Sequence, residues 1–454
     1  MSRYDLAIIG AGPGGYAAAL RASSHGLTVA LIEKGEVGGV CLNRGCVPAK
    51  SWIASAETID IARHMASIAL EPFDYKIDFA KVAHKQQSIV TQFRKSLRGL
   101  LKKKGVEIID GEGKFISDNA IEVTHDDSMS VIDFNIAIIA TGSKPSSLFD
   151  LDKSLALDSD SIFELTTLPS SLIIVGGGAI GCEFAGALSR FGVDITIIEM
   201  EPRILPMEDK EISATLSREF KKNKIKICAG ARIESLEPYK AGVRATLNNG
   251  DQIVAEKALV SVGRSFNTNG LGLEKAGVEV GEGGEVITDD NLRASTPNIF
   301  AVGDVAGKHM LAYTAYREGE IVADYMAGKG GKVSEYVIPN TIFTIPEIGS
   351  VGLSEEKAPE NAKVGSFMFR SLARAHATGE IAGFVKLIAD ANTDRLLGAH
   401  IIGPRATDLI HIASVAISRK MTAEAFGEIV FAHPTFAEAI LEAAHDIHGR
   451  SLHK

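Results

Sequence analysis

Residues 39–50 read GVCLNRGCVPAK and hold two of the chain's four cysteines, Cys41 and Cys46, with Pro48 and Lys50 just behind. Two thiols this close could share a metal ion or close a reversible disulfide. A zinc site needs further ligands, and no second cysteine pair or histidine cluster with ligand spacing follows, so no metal is expected. The pair falls shortly after a glycine-rich turn, at a predicted loop-to-helix start. A helix N-terminus lowers a thiol's pKa and favours the reactive thiolate. Two such thiols beside a redox cofactor point to a reversible disulfide.

The glycine-rich turn occurs twice. YDLAIIGAGPGGYAAAL opens at Tyr4, and SSLIIVGGGAIGCEFAGAL opens at Ser170. Each is an apolar strand, a G-x-G-x-x-G turn and a helix with small residues on its packing face. The glycines are Gly10, Gly12 and Gly15, then Gly176, Gly178 and Gly181. The first makes the tight turn, the second admits a pyrophosphate to the backbone, and the third lets helix and strand pack closely. The phosphates would sit at a helix N-terminus, where N–H groups and the helix dipole favour negative charge. An acid closes the next strand of each copy: Glu33 in VALIEKG and Glu199 in ITIIEME. The step is 23 residues both from Gly10 to Glu33 and from Gly176 to Glu199. A carboxylate there holds ribose hydroxyls. Two dinucleotides in two α/β domains are expected. Glu199 would repel a 2′-phosphate, which favours NAD over NADP at the second. Arg203 lies near enough to weaken that preference, although it reads more simply as a surface or helix-start arginine.

These elements need a large globular frame. The 454 residues allow about three domains, and 45% apolar with 23% charged residues can bury several cores. A net charge of −9 argues against nucleic acid or acidic lipid as main partner. The basic run RKSLRGLLKKKG (94–105) has helical spacing and reads as a solvated helix end. Four cysteines in a chain of this length are no disulfide scaffold, which fits a reducing, cytoplasmic location. The first predicted strand begins so near Met1 that no targeting segment is expected. The most apolar stretch, 170–188, contains Glu183 and the glycine turn, so no membrane span is expected. Cys182 and Cys228 read as small buried hydrophobes.

With both fingerprints and the cysteine pair in place, the chain resembles the flavin-containing pyridine nucleotide–disulfide oxidoreductases over essentially its whole length. It is most similar to the members that act on lipoamide. The motifs occur in the family's order. Gly10–Gly15 and Glu33 correspond to the FAD phosphate and ribose site, followed by Cys41, Cys46 and Lys50. IAIIATGSKP leaves the first domain at Ala140, Thr141 and Gly142. The second fingerprint carries Glu183 and Glu199, and VSVGR closes the NAD domain at Gly263 and Arg264. NIFAVGDVAG returns to FAD, with Asp304 placed to accept a ribityl hydroxyl. FAHPTFAEAI carries His433 and Glu438.

The resemblance implies roles. Cys41 is the exposed interchange thiol, and Cys46 is the inner thiol against the flavin. His433 is the base for thiol exchange, with Glu438 holding its tautomer. Lys50 and Glu183 form a buried pair near the flavin. It also implies FAD and NAD as cofactors, oxidation of protein-bound dihydrolipoamide through a Cys41–Cys46 disulfide, and a homodimer with shared sites. The lipoyl group would come from an acyltransferase or a glycine-cleavage H protein. The expected architecture is α/β. A split Rossmann-like FAD domain (1–145 and 265–335) receives an inserted NAD domain (146–264). An α+β dimerisation domain (336–454) follows. An antiparallel excursion is expected at about Val106–Phe134, with helices at 406–420 and 435–445.

Two departures touch the site. Met310, Leu311 and Ala312 match a flavin-side motif, but Tyr313 stands where the family often has histidine. Phe431 stands two places before His433, where many lipoamide enzymes have another histidine. Glutathione- or mercuric-reductase-like activity is the nearest alternative, but the C-terminus HDIHGRSLHK lacks an extra cysteine pair, and Glu199 is acidic where the NADPH enzymes are basic. A non-catalytic relative would have lost Cys41, Cys46 or His433.

Overall fold

The computed structural model describes residues 3–63, 76–149, 152, 154–330 and 337–454. The expected boundary between residues 335 and 336 lies outside them.

The first fingerprint strand, Arg3–Ile9, is central in a seven-stranded sheet. Val29–Glu33 pairs parallel on one side and the long strand Ser128–Ile139 on the other. That long strand serves two structures. Its first half pairs antiparallel with Ala120–His125, and its second half runs parallel to Arg3–Ile9. Ile299–Ala301 joins it in parallel, so the sheet resumes at Phe300 as expected. The expected antiparallel excursion starts too early. Glu107–Asp110 pairs parallel with Val29–Glu33 and belongs to the nucleotide-binding sheet, and antiparallel pairing begins only at Glu112–Phe115. Gly111 at φ 149° turns the chain between them.

The second fingerprint builds a five-stranded parallel sheet in the order Lys226–Ala229, Asp194–Glu199, Ser171–Val175, Lys257–Val260, Ala156–Asp158. Buried aliphatic runs such as LIIV suit strands covered on both faces. Cys182 is fully buried in the helix Ala179–Arg190, but Cys228 is only half-buried, because its strand is the sheet's edge. Ser143–Pro145 and Arg264–Phe266 pair antiparallel, so the chain leaves and re-enters the first fold through one two-stranded ribbon.

The C-terminal part is a five-stranded antiparallel sheet with Ala406–Ser418 and Glu438–Asp446 packed against it. Both helices are shorter than expected. Lys420 takes φ 53°, outside the helix, and the backbone N–H of Thr435 is spent on Glu438 in the turn that precedes the last one. The basic run 94–105 does end a helix, Phe79–Lys103.

One apolar core joins the three regions at the cysteine helix. Trp52, fully buried six residues after Cys46, packs edge-on against Phe79 at 5.0 Å and Phe163 at 5.1 Å. Phe184 from the second fingerprint helix, and Ile342, Phe384 and Ile402 from the C-terminal sheet, complete that core. Truncating such an aromatic costs about 3–5 kcal/mol, so this packing anchors the helix that begins at Cys46.

Candidate active site

The cysteine segment is folded onto the first fingerprint. Gly38 donates its N–H to the Ala11 carbonyl at 2.8 Å. A Cβ on Gly39, at φ 59°, would lie 2.6 Å from the Gly12 Cα, so the approach requires glycine. The expected loop is a short helix, Gly39–Arg44, that carries Cys41. Gly45 breaks it, and Cys46 is the first residue of the helix Cys46–Arg63. Asn43 ties the short helix down, donating to the carbonyls of Gly39 and Val37 at 2.8 and 3.1 Å and accepting from Arg94 at 2.9 Å.

Cys41 and Cys46 are unbridged thiols hydrogen-bonded to each other. That bond chiefly holds the Cys46 thiol down at about 7, against burial and with help from the Lys50 charge. The same bond, with burial and the Cys46 charge, pushes the Cys41 thiol up. In the protein chain alone, Cys46 is the more accessible thiol and Cys41 is half-buried. Cys46 heads its helix, whereas Cys41 lies within a helix packed on the fingerprint.

Lys50, one turn beyond Cys46, bridges both Glu183 carboxylate oxygens at 2.9 Å. Phe343 completes this junction. Its ring lies 4.4 Å beneath the Lys50 ammonium, and its backbone N–H donates to Glu183 at 2.9 Å. The first fold, the second fold and the C-terminal sheet therefore meet one helical turn from the thiols.

The first fingerprint fits a dinucleotide. Its helix, Pro13–Ser24, starts at Gly12 with no side-chain cap, which leaves amides free for phosphate. A Cβ on Gly15 would sit 1.9 Å from the Gly10 carbonyl oxygen, so the turn tolerates only glycine there. Glu33 accepts from Ala11 N at 2.7 Å and Gly35 N at 2.8 Å, fixing the loop and holding its carboxylate at the strand end. Thr141 and Gly142 are clasped by Asn267: Thr141 donates to its carbonyl at 2.7 Å, and Asn267 N donates to Gly142 O at 3.0 Å. Asp304 accepts a short hydrogen bond from Ser143, which in turn accepts from Arg264 at 2.7 Å. Met310, Leu311 and Ala312 stand at the start of the helix Ala312–Met326, with Met310 exposed.

The second fingerprint repeats this geometry. Gly178 starts its helix uncapped, and open space surrounds the place of its missing Cβ. A Cβ on Gly181 would sit 2.1 Å from the Gly176 oxygen. Glu199 accepts from Gly177 N at 2.6 Å and Glu201 N at 2.8 Å, the counterpart of Glu33. Gly263, at φ 121°, closes the domain beside the two-stranded ribbon.

His433 and Glu438 are paired with each other but are not brought to the cysteines within the chain. His433 Nδ1 lies 2.8 Å from Glu438 Oε1, and Glu438 Oε2 accepts from Thr435 N at 2.7 Å. The imidazole is largely exposed, and the groups acting on Cys46 are Cys41, Lys50 and Glu183.

The sequence reading missed several residues here. Tyr16 and Tyr316 share a 2.8 Å hydrogen bond where the helices Pro13–Ser24 and Ala312–Met326 pack together. Burial chiefly raises both phenols, and the nearby Cys41 and Cys46 raise them further. Tyr313, which the sequence did mark as a departure, is pushed up to about 12 by burial and Cys46. Glu318, buried and raised mainly by that burial, accepts from Gly303 N at 2.6 Å and holds the turn before Asp304. Tyr316 follows Ala312 by one helical turn, and nothing in the local pattern marked Glu318.

Comparison with known proteins agrees along the whole chain. Residues 4–319 match the pyridine nucleotide-disulphide oxidoreductase family, and residues 338–444 match its dimerisation domain. Dihydrolipoyl dehydrogenase of Chlamydia muridarum is 37% identical over 97% of this chain and 96% of its own. That of Geobacillus stearothermophilus is 38% identical over 99% and 97%. Among solved structures, LpdA of Mycobacterium tuberculosis superposes with a TM-score of 0.91 at 29% identity, covering 98% and 99%. The HOCl-induced flavoprotein disulfide reductase RclA of Escherichia coli gives 0.88 at 26%, covering 97% and 99%. With its two fingerprints, its cysteine pair and its C-terminal domain all inside these matches, the chain belongs to the pyridine nucleotide-disulphide oxidoreductase family.

Proposed function

We propose that this protein oxidises protein-bound dihydrolipoamide to lipoamide and reduces NAD to NADH through the Cys41–Cys46 pair, with FAD as cofactor. The observation that carries the reading is the hydrogen-bonded dithiol, with Cys46 held near 7, one turn from a Lys50–Glu183 clip that joins the two dinucleotide folds.

Gly10, Gly12, Gly15, Glu33, Thr141, Gly142, Asp304 and the 310–312 helix start would hold FAD. When bound, FAD supplies the two-electron relay between the thiols and the nicotinamide. Gly176, Gly178, Gly181, Glu199 and Gly263 would hold NAD.

The chain's own residues do the thiol chemistry. One substrate thiolate attacks Cys41 Sγ of the oxidised pair, forms a mixed disulfide, and releases Cys46 as thiolate. The second substrate thiolate attacks the substrate sulfur of that mixed disulfide, closes lipoamide and releases Cys41. The Lys50 charge favours the thiolate at Cys46 and so makes it the better leaving group, and the Cys41 hydrogen bond adds to this only once Cys41 is released as a thiol. His433 takes the substrate thiol's proton, with Glu438 fixing Nδ1–H so that Nε2 is the basic atom.

His433 lies on the dimerisation domain and does not meet its own chain's thiols, which supports a homodimer whose sites each use one His433 from the partner. The lipoyl group would arrive on an acyltransferase or a glycine-cleavage H protein. Among the described residues no helix is long and apolar enough to cross a membrane, and a cytoplasmic location is part of the proposal. So is the division at 145/146, 264/265 and 335/336, the first two supported by the Ser143–Pro145 and Arg264–Phe266 ribbon.

The test is NAD reduction by dihydrolipoamide, free and on a lipoyl domain, with the visible spectrum of the same sample. A yellow enzyme that forms NADH rapidly and NADPH slowly supports the reading. A yellow enzyme inert to dihydrolipoamide but active on glutathione disulfide overturns the substrate.

A further inference from the structure

Arg203 is the cation nearest the second ribose site in sequence, four residues after Glu199. Its loop is folded onto the fingerprint: Leu205 N donates to Gly177 O at 2.8 Å, and Ile204 packs over Gly177. A guanidinium on such a loop is the group that recognises a 2′-phosphate, because its forked donors match phosphate oxygens. Yet both terminal nitrogens of its guanidinium are engaged elsewhere. Arg203 donates to both Glu356 oxygens at 2.9 Å, and one of the same nitrogens reaches the Pro206 and Glu208 carbonyls at 3.4 and 3.3 Å.

Glu356 comes from the C-terminal domain and is itself fixed. It also accepts from Lys210 N at 3.2 Å. Next to it, Glu355 N donates to Asp209 at 3.3 Å, and Lys386 bridges Asp209 and Glu355 at 3.0 and 2.7 Å. The turn that carries Glu356 is thus clamped to the segment that follows the ribose loop.

We propose that Glu356 is a positioning residue for cofactor selectivity: it holds Arg203 away from the 2′ position of the nicotinamide cofactor's adenosine ribose. Selectivity for NAD then rests on two carboxylates from different domains. Glu199 repels the 2′-phosphate directly, and Glu356 withdraws the cation that would attract it. The inference rests on the assignment of the second fingerprint to the nicotinamide cofactor, and not on the identity of the disulfide substrate.

The test is binding of NADH and NADPH to the FAD-loaded full-length enzyme by titration calorimetry, which needs no dithiol substrate. Glu356→Ala should tighten NADPH about tenfold, the gain of one charge-assisted contact, and leave NADH within about twofold. Arg203→Met in the Glu356→Ala background should restore the original ratio, because the freed guanidinium is gone. A general loosening of the loop would weaken both cofactors and would not be rescued by Arg203→Met. An unchanged NADPH-to-NADH ratio in Glu356→Ala, or a changed ratio that persists in the double variant, overturns the proposal. If Glu356→Ala does not fold, Glu356→Gln removes the charge and keeps the shape, and its ratio is read in the same way. Wild-type protein that binds neither nucleotide would instead overturn the cofactor assignment.

Discussion

Lys50 Nζ stands 2.9 Å from both carboxylate oxygens of Glu183, although the two residues belong to different dinucleotide folds. Glu183 is the more enclosed partner, with 12% of its side chain exposed against 33% for Lys50. Such an ion pair is weak as a source of stability but strong as a register. It places a positive charge one turn from Cys46, and that charge adds to the Cys41 hydrogen bond in holding Cys46 down to about 7.

The sign follows directly. Cys46 is a thiolate above about pH 7 and protonates below it. Alkylation of the reduced enzyme at Cys46, followed by peptide mass spectrometry, should rise with pH around that midpoint and not near 9. Lys50→Met should move the midpoint to higher pH. Cys41→Ala should move it further, because it removes the larger cause, whereas Cys41→Ser keeps a donor and should move it less. A midpoint indifferent to all three changes would exclude this account of the thiolate.

His433 and Glu438 invite a different measurement. His433 Nδ1 meets Glu438 at 2.8 Å, and Thr435 N holds the other carboxylate oxygen. His433→Gln should lower turnover with dihydrolipoamide roughly a hundred- to ten-thousand-fold, the usual worth of a general base. Glu438→Gln should lose less, though at least about tenfold, because the imidazole remains but can sit in the wrong tautomer. NADH oxidation by ferricyanide needs no thiol exchange and should survive both changes. Equal loss of the ferricyanide reaction would mean that the pair supports the fold and not the exchange step.

What could be read from the sequence was local. Gly10 to Gly15, Glu33 and their second copies follow a short repeat whose spacing has one structural meaning, and the structure builds both alike. The cysteine pair was legible for the same reason. Contacts made across long separations were legible only where the family resemblance marked both partners, as it did for Lys50 and Glu183. Tyr16 and Tyr316 lie 300 residues apart, and Glu183 finds the Phe343 amide across 160. Nothing in either segment marks its partner, because a tyrosine on a helix face reads as ordinary packing. The extra strand Glu107–Asp110 was misassigned because four residues, EIID, show neither alternation nor a buried run. Its parallel partner, and not its own pattern, decides its place.

The duplicated fingerprints give a pair of separable variants. A Cβ at Gly181 would come within 2.1 Å of the Gly176 oxygen, and one at Gly15 within 1.9 Å of the Gly10 oxygen. Both positions face backbone, which cannot yield as a flexible side chain does. Gly181→Ala should give a yellow protein that has lost NADH binding by at least about tenfold. Gly15→Ala should lose the yellow colour. Absorbance at the flavin maximum and NADH titration separate the two results. Colour lost from Gly181→Ala but kept in Gly15→Ala would reverse the assignment of the two folds.

Lys386 tests what holds the second fold against the C-terminal sheet. Its side chain is 1% exposed, and its ammonium meets Asp209, which is fully buried, at 3.0 Å, with Glu211 and Glu355 both at 2.7 Å. Burial by itself would lower the lysine's pKa, but the hydrogen bonds it donates to Glu211, Glu355 and Asp209 raise it, so the charge is kept. Asp209 also caps the helix Lys210–Lys222 through Glu211 N. Lys386→Met preserves most of the volume and leaves Asp209 as a buried carboxylate without its cation. Glu211 and Glu355 are partly exposed and can turn to water, so the cost falls mainly on Asp209. Removing one partner of such a pair typically costs about 3–5 kcal/mol. The melting temperature should drop by several degrees, and the flavin spectrum should be unchanged at low temperature. Adding Asp209→Asn to Lys386→Met should recover part of the loss, because it removes the stranded charge. If the single variant melts as the wild type does, the cluster is solvated and contributes nothing to joining the two regions.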